Sequence, residues 1–206
     1  MNVSGKKVLV MGLGRFGGGL GVTRWLLEQG ADVLLTDVLQ EEDLQEQLGQ
    51  LGEHEKLHCV FGGHRERDFL DVDLVIANPA VKMPWKNNYL KAAWGGDIPV
   101  KTEMQLVVEQ IDRKQIIGVT GSAGKSTTAS LIYAALQENS IPSFIGGNLG
   151  GSLLQSLDQI TEETIVVLEL SSAMLWWLGD AHGAGWSPHV GVLTNITPNH
   201  LDWHGT

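Results

Sequence analysis

The sequence predicts an α/β fold in two successive units, each a parallel sheet flanked by helices. Three observations carry that expectation. Short apolar runs alternate with stretches of helical periodicity along the chain, and two of those runs end in glycine-bearing turns. The composition, 43% hydrophobic with 26 glycines in 206 residues, suits a fold rich in tight strand-to-helix turns.

Lys6 to Met11 is an apolar run ended by Gly12, the pattern of a buried parallel strand entering a turn. A helix is expected next: Leu20, Trp25, Leu26 and Leu27 give it an apolar side, and Gly30 stops it. Ala31 to Thr36 then forms a strand ending at Asp37, which completes a β-α-β unit. Glu41 to Leu51 carries Leu44, Leu48 and Leu51 at helical spacing, and Leu57 to Phe61 and Leu74 to Ala77 read as further strands. Gly62-Gly63-His64 reads as a turn with an exposed histidine. Around Gly95-Gly96-Asp97-Ile98-Pro99 the composition becomes loop-like, which divides the chain into a domain of residues 1–99 and another of residues 100–206.

The second domain opens with a helix, Glu103 to Ile111, and a strand, Ile116 to Val119, that runs into another turn. Leu131, Ile132, Ala135 and Leu136 give the following helix an apolar side. Two later strands, Thr164 to Leu170 and His189 to Ile196, end in polar residues. Ligands of open α/β sheets gather at the carboxyl ends of strands, so both ends are candidates for one shared site. Trp176 and Trp177 are adjacent on a helix, where side chains diverge, so one of them points inward.

Acidic residues number 24 against 14 basic ones, a formal charge of -10, and no Lys/Arg cluster stands out. Nucleic acid is therefore not an expected partner, and a phosphate would be held by backbone amides with the help of a lysine. The single Cys59 cannot form an internal disulfide, and the longest apolar runs, such as Thr164 to Leu170, are too short to span a bilayer. Met1 to Ser4 shows no signal-peptide pattern. A soluble, cytoplasmic, monomeric protein without a membrane partner is expected.

The first turn, Gly12-Leu13-Gly14-Arg15-Phe16-Gly17, lies between a strand and a helix, the context of a Rossmann-like phosphate loop. Asp37 stands where an acid would contact a ribose. Alone, that loop leaves open a nicotinamide or flavin site, another nucleotide, or plain helix-strand packing. The second turn, Gly121-Ser122-Ala123-Gly124-Lys125-Ser126-Thr127, departs from the strict P-loop pattern, which needs a glycine where Val119 stands. Its chemistry remains: a glycine-bearing turn, a lysine and two hydroxyls at a helix start make an anion nest beside a metal-binding hydroxyl. Lys125 would reach the β- and γ-phosphates, and Ser126 or Thr127 would offer oxygen to Mg²⁺. Glu169, at a strand end of the same sheet, reads as a metal ligand or as a satisfied acid near a helix start. His200, Asp202 and His204 form a weaker alternative, a transition-metal cluster without a fourth ligand.

Thr120-Gly121-Ser122-Ala123-Gly124-Lys125-Ser126-Thr127 resembles the Thr-Gly-Thr-Asn-Gly-Lys-Ser/Thr loop of the Mur ligase family and of folylpolyglutamate synthetases. Three more segments follow in the family's order. Gly146-Gly147-Asn148-Leu149-Gly150 is similar to the glycine-asparagine segment near the UDP-muramoyl substrate. Val167-Leu168-Glu169-Leu170-Ser171-Ser172 is similar to the strand whose glutamate binds magnesium, and Thr194-Asn195-Ile196-Thr197-Pro198-Asn199-His200-Leu201-Asp202 to the segment whose histidine binds a second magnesium. The Glu-Leu-Ser-Ser segment and the Gly-Leu-Gly first loop are most like the branch that adds D-glutamate.

The resemblance implies ATP and Mg²⁺ as cofactors and UDP-N-acetylmuramoyl-L-alanine and D-glutamate as substrates, joined through an acyl phosphate in peptidoglycan precursor synthesis. It implies a triphosphate site from Gly121 to Thr127 with Lys125 on the phosphates, magnesium held by Ser126, Glu169 and His200, and catalysis resting on Lys125, Glu169 and His200. Gly12, Gly14, Arg15, Phe16, Gly17 and Asp37 would face the UDP moiety, and Asn148 would approach the sugar nucleotide. Three departures stand out. Ala123 replaces the family's loop asparagine, Asn199 replaces an aspartate beside the histidine, and Arg15-Phe16 occupies positions that are often smaller. The family's carbamylated lysine and its C-terminal domain lie beyond Thr206, so the P-loop ATPase domain is expected to be incomplete and the chain to be an inactive fragment. A nicotinamide-dependent oxidoreductase and a non-catalytic nucleotide-binding module are the alternatives.

Overall fold

The computed structural model of the protein describes residues 1–13, 18–179 and 185–204. The chain divides into two compact units, Met1–Glu103 and Met104–Thr206.

In the first unit, β1 (Lys7–Met11) leads through α1 (Gly18–Glu28) to β2 (Asp32–Thr36). A 3-10 turn (Glu41–Leu44) runs into α2 (Gln45–Leu51), followed by β3 (Leu57–Val60), β4 (Leu74–Ala77), α3 (Asn88–Gly95) and the two-residue β5 (Val100–Lys101). All pairings are parallel, in the order β3-β2-β1-β4-β5. The central strands are buried on both faces, which is why Val8, Leu9 and Val10 of β1 and Leu74, Val75 and Ile76 of β4 are uninterrupted apolar runs. Each such side chain contributes about 1.5–3 kcal/mol by leaving water. Edge strand β3 instead exposes His58 and Cys59.

Helix α1 buries Val22, Trp25, Leu26 and Leu27 and only half-buries Leu20. Its second residue is Gly19 because a Cβ there would collide with the carbonyls of Gly12 and Leu13. That contact seats the start of the helix on the end of β1. The loop-like composition near residue 99 lies just before β5. Val100 and Lys101 pair with Val75 and Ile76, so the compact unit continues to Glu103.

From α4 (Glu103–Gln110) onward the chain forms β6 (Ile116–Thr120), α5 (Lys125–Glu138), β7 (Ser143–Gly147), β8 (Ile165–Glu169), α6 (Ser172–Leu178), β9 (Val190–Leu193) and α7 (Leu201–His204). These strands are also parallel, in the order β7-β8-β6-β9. Strand β7 was not legible in the sequence, because Ser143-Phe144-Ile145-Gly146-Gly147 has too few apolar residues to mark a run.

Two expectations change. Only part of the apolar side foreseen for α5 is inward: Ile132 and Leu136 join Tyr133 and buried Ala129 against Val119 and Val167, whereas Leu131 and Ala135 are exposed. Residues 129, 132, 133 and 136 share one face at three- and four-residue spacing, and 131 and 135 fall off it. His64 is not exposed but half-buried, bonded to Thr36 Oγ1 at 2.9 Å and packed edge-on against Phe69 and Tyr89. Trp177 is the inward member of its pair, with Trp176 half-buried beside it. Among the described residues no helix is long and apolar enough to cross a membrane.

Candidate functional site

In the second unit the carboxyl ends of the strands collect most of the residues singled out by the sequence. Strand β6 ends at Thr120, the turn runs through Gly121 to Gly124, and α5 begins at Lys125. Gly121 has φ of +139°, and a Cβ there would collide with Thr194 Oγ1, so glycine is required on both counts. Gly124 precedes the helix with φ of +81° and offers no side-chain cap. The first-turn N–H groups of α5 have no partner within the helix and carry its positive dipole end, which is what an anion needs. Lys125 folds over the turn, its Nζ donating to the Gly121 carbonyl at 2.8 Å and the Ser122 carbonyl at 3.4 Å. Ser126 and Thr127 are exposed at the helix start.

Register brings Glu169 beside this turn. Val119 pairs with Glu169, and Leu170 N–H donates to the Val119 carbonyl at 2.8 Å. The Glu169 carboxylate is 1% exposed. Its Oε1 accepts from Asn148 Nδ2 at 3.1 Å, and the Asn148 N–H donates to the Glu169 carbonyl at 2.9 Å. The other oxygen, Oε2, is buried without a hydrogen-bond partner. A buried carboxylate oxygen with nothing to accept from is costly, and a hard cation satisfies it. The donor set fits magnesium, which combines one or two carboxylates with hydroxyl, phosphate and water oxygens.

His200 lies on an exposed loop at φ of +51°, its N–H donating to Asn199 Oδ1 at 2.8 Å. Among the described residues no three His, Cys, Asp or Glu side chains gather as a metal cluster. The His200, Asp202 and His204 trio therefore does not form a site; His204 Nε2 is instead 2.9 Å from Ser172 Oγ.

In the first unit, Gly12 ends β1 with φ of +92°, and a Cβ there would lie 3.6 Å from the side chain of Asn78. Asn78 follows β4, the neighbour of β1, so the two strand ends frame the point where the strand order reverses. Gly14, Arg15, Phe16 and Gly17 lie outside the described residues. Asp37 is only 4% exposed: Oδ2 accepts from Leu13 N–H and Oδ1 from Leu39 N–H, each at 2.9 Å. The acid thereby satisfies the amide of Leu13, the residue after Gly12, and an amide of its own loop at Leu39.

Two further sets of residues were not singled out by sequence reasoning. Asn78 gave only a polar residue after an apolar run as its signal. Thr194 and Asn195 belong to a recognised segment, but their role in gripping the phosphate turn appears only in three dimensions. Asn195 takes both the N–H and the carbonyl of Ala123, and its own carbonyl accepts from Ser122 N–H at 3.0 Å. The amides of Ser122 and Ala123 are thus committed to the fold, which leaves the start of α5 to face an anion.

These features define an α/β protein with a Rossmann-like unit and a P-loop-type unit. Comparisons with known proteins agree. The family model "Mur ligase MurD-like, N-terminal domain" matches residues 6–101, and "Mur ligase middle domain" matches residues 119–206. The chain is similar to UDP-N-acetylmuramoylalanine--D-glutamate ligase of Roseiflexus sp. (strain RS-1), with 44% identity over 206 residues, 100% of this chain and 43% of the relative. It is 36% identical to the ligase of the same name from Borreliella burgdorferi (strain ZS7) over 197 residues, 95% of this chain and 41% of that one. Among solved structures, UDP-N-acetylmuramate:L-alanyl-gamma-D-glutamyl-meso-diaminopimelate ligase from Neisseria meningitides shares the fold, with a TM-score of 0.58 and 20% identity over 97% of this chain and 63% of that one. The chain belongs to the Mur ligase family. It spans less than half the length of the curated relatives it matches.

Proposed function

We propose that the protein serves an ATP-dependent ligase that adds D-glutamate to UDP-N-acetylmuramoyl-L-alanine in the cytoplasm, supplying the UDP-binding unit and the triphosphate site. The carboxylate of the muramoyl-alanine attacks the γ-phosphorus of ATP, ADP leaves, and the amine of D-glutamate displaces phosphate from the acyl phosphate with loss of a proton. One observation carries this reading: a phosphate turn closed by Lys125 whose neighbouring strand ends in a buried glutamate with one unclaimed oxygen.

Lys125 exchanges its two carbonyl partners for phosphate oxygens, neutralising charge as it builds on the transferred group. The α5 amides orient the phosphates. Glu169, with the Ser126 hydroxyl and phosphate oxygens, would hold Mg²⁺, which when bound screens the phosphate charge. Asn148 fixes the rotamer of Glu169 through Oε1 and leaves Oε2 for the metal. His200 would hold a second Mg²⁺ as the resemblance implies, and Gly12 with the loop after it would seat the UDP.

Thermal-shift measurements separate this reading from an oxidoreductase, since a ligand stabilises the fold that binds it. Mg²⁺-ATP and UDP-N-acetylmuramoyl-L-alanine should each raise the unfolding midpoint while NADH leaves it unmoved. Stabilisation by NADH alone would sink the proposal.

A further inference from the structure

The phosphate turn carries Ala123 where the resembling loops have asparagine, so this position has no polar side chain with which to hold itself. Its backbone is held from outside. Asn195 Oδ1 accepts from the Ala123 N–H at 3.1 Å, and Asn195 Nδ2 donates to the Ala123 carbonyl at 3.0 Å. Thr194 Oγ1 donates to the same carbonyl at 2.6 Å. One carboxamide therefore closes on both polar groups of a single residue. Aspartate would lack the donor, and serine cannot supply donor and acceptor at that separation. Around this grip the turn is stitched further: Ser122 Oγ donates to the Thr197 carbonyl and accepts from the Thr197 N–H, both at 2.8 Å.

We infer that Asn195 is a positioning residue for the triphosphate: by clamping the Ala123 backbone it sets the direction of Gly124 and of the uncapped amides that open α5. This rests on the reading of the turn as a triphosphate cradle. The segment leaving β9 supplies rigidity that the turn, with glycine at 121 and 124 and alanine at 123, does not have in itself. A cradle ordered before the ligand arrives spends less conformational entropy on binding, so losing the clamp weakens nucleotide affinity before it weakens the fold.

Isothermal titration of Mg²⁺-ATP into the 206-residue chain and its Asn195→Ala variant tests this, with thermal unfolding and amide hydrogen exchange alongside. The dissociation constant should rise about tenfold, the order expected when a turn left loose must be ordered by the nucleotide on binding. The unfolding midpoint should stay within about 2 °C, and exchange should quicken at residues 122–125 but not in β1. Asn195→Ser, which keeps one hydroxyl for one of the two groups, should show a smaller rise. Parent-like affinity in Asn195→Ala overturns the inference, as does a fall in midpoint that accompanies the loss of affinity in both variants, which would make the role purely structural. If the unaltered chain binds no Mg²⁺-ATP, the reading of the turn fails and takes this inference with it. If it binds and the variants match it, the inference alone fails.

Discussion

Each unit buries one carboxylate at the carboxyl edge of a parallel sheet, and the two are used differently. Asp37 in the first unit and Glu169 in the second are 4% and 1% exposed. Asp37 spends both oxygens on backbone amides of its own unit, whereas Glu169 spends one on Asn148 and leaves the other without a partner. A buried acid whose lone pairs are filled by the chain is part of the scaffold. One with an unfilled oxygen beside a glycine-bearing turn is left with a buried lone pair that the chain does not satisfy, which is what the proposed metal role would use. In the sequence both acids close apolar strands, and their hydrogen-bond partners are what separate them.

Substitutions should therefore separate the two acids, with the largest effect on ligand binding in the second unit. Glu169→Gln removes the charge and should weaken Mg²⁺-dependent ATP binding at least about 100-fold, while chemical denaturation shows a fold no less stable. An unaltered magnesium dependence in calorimetric titration would remove Glu169 from the metal site. Asp37→Ala should do the reverse. One buried and one part-buried amide lose charge-assisted bonds, so the first unit should lose about 2–4 kcal/mol in urea unfolding, while Mg²⁺-ATP affinity in the second unit is kept. Asn148→Ala frees the Glu169 carboxylate to turn and should cost about tenfold in apparent magnesium affinity, with little change in unfolding.

The smallest effect belongs to His64, beside Asp37. Burial holds its imidazole below the ordinary pKa, partly opposed by the charge of Asp37. The fold therefore prefers the neutral ring, and the unfolded chain takes up a proton more readily. Stability from this site is present above about pH 6.5 and falls as pH drops through that value, levelling off once the folded ring is also protonated. Thermal melts of His64→Gln should show a flatter acid limb than the parent between pH 7 and 5; an equal slope would locate the acid sensitivity elsewhere.

Much of this was legible in the chain. Strands β1, β2, β4, β6 and β8 followed from apolar runs, because a strand buried on both faces admits nothing else. The phosphate turn and Glu169 followed from order along the chain, and the four family-like segments carry the family resemblance in the sequence itself. What escaped was set by neighbours distant in sequence. Strand β7 is carried by its pairing with β8 rather than by its composition, and His64 is covered by Phe69 and Tyr89 rather than left in water.

By itself, the sequence determined the α/β alternation, the two glycine-bearing turns and the identity of the groups proposed to hold phosphate and magnesium, because periodicity and side-chain chemistry are local properties. Only the tertiary structure decided that Asp37 supports its loop, that Glu169 keeps an oxygen in reserve, and that Asn195 grips the backbone of Ala123. Those outcomes depend on which donors and acceptors already have partners, and partners are assigned when strands far apart in the chain come into register.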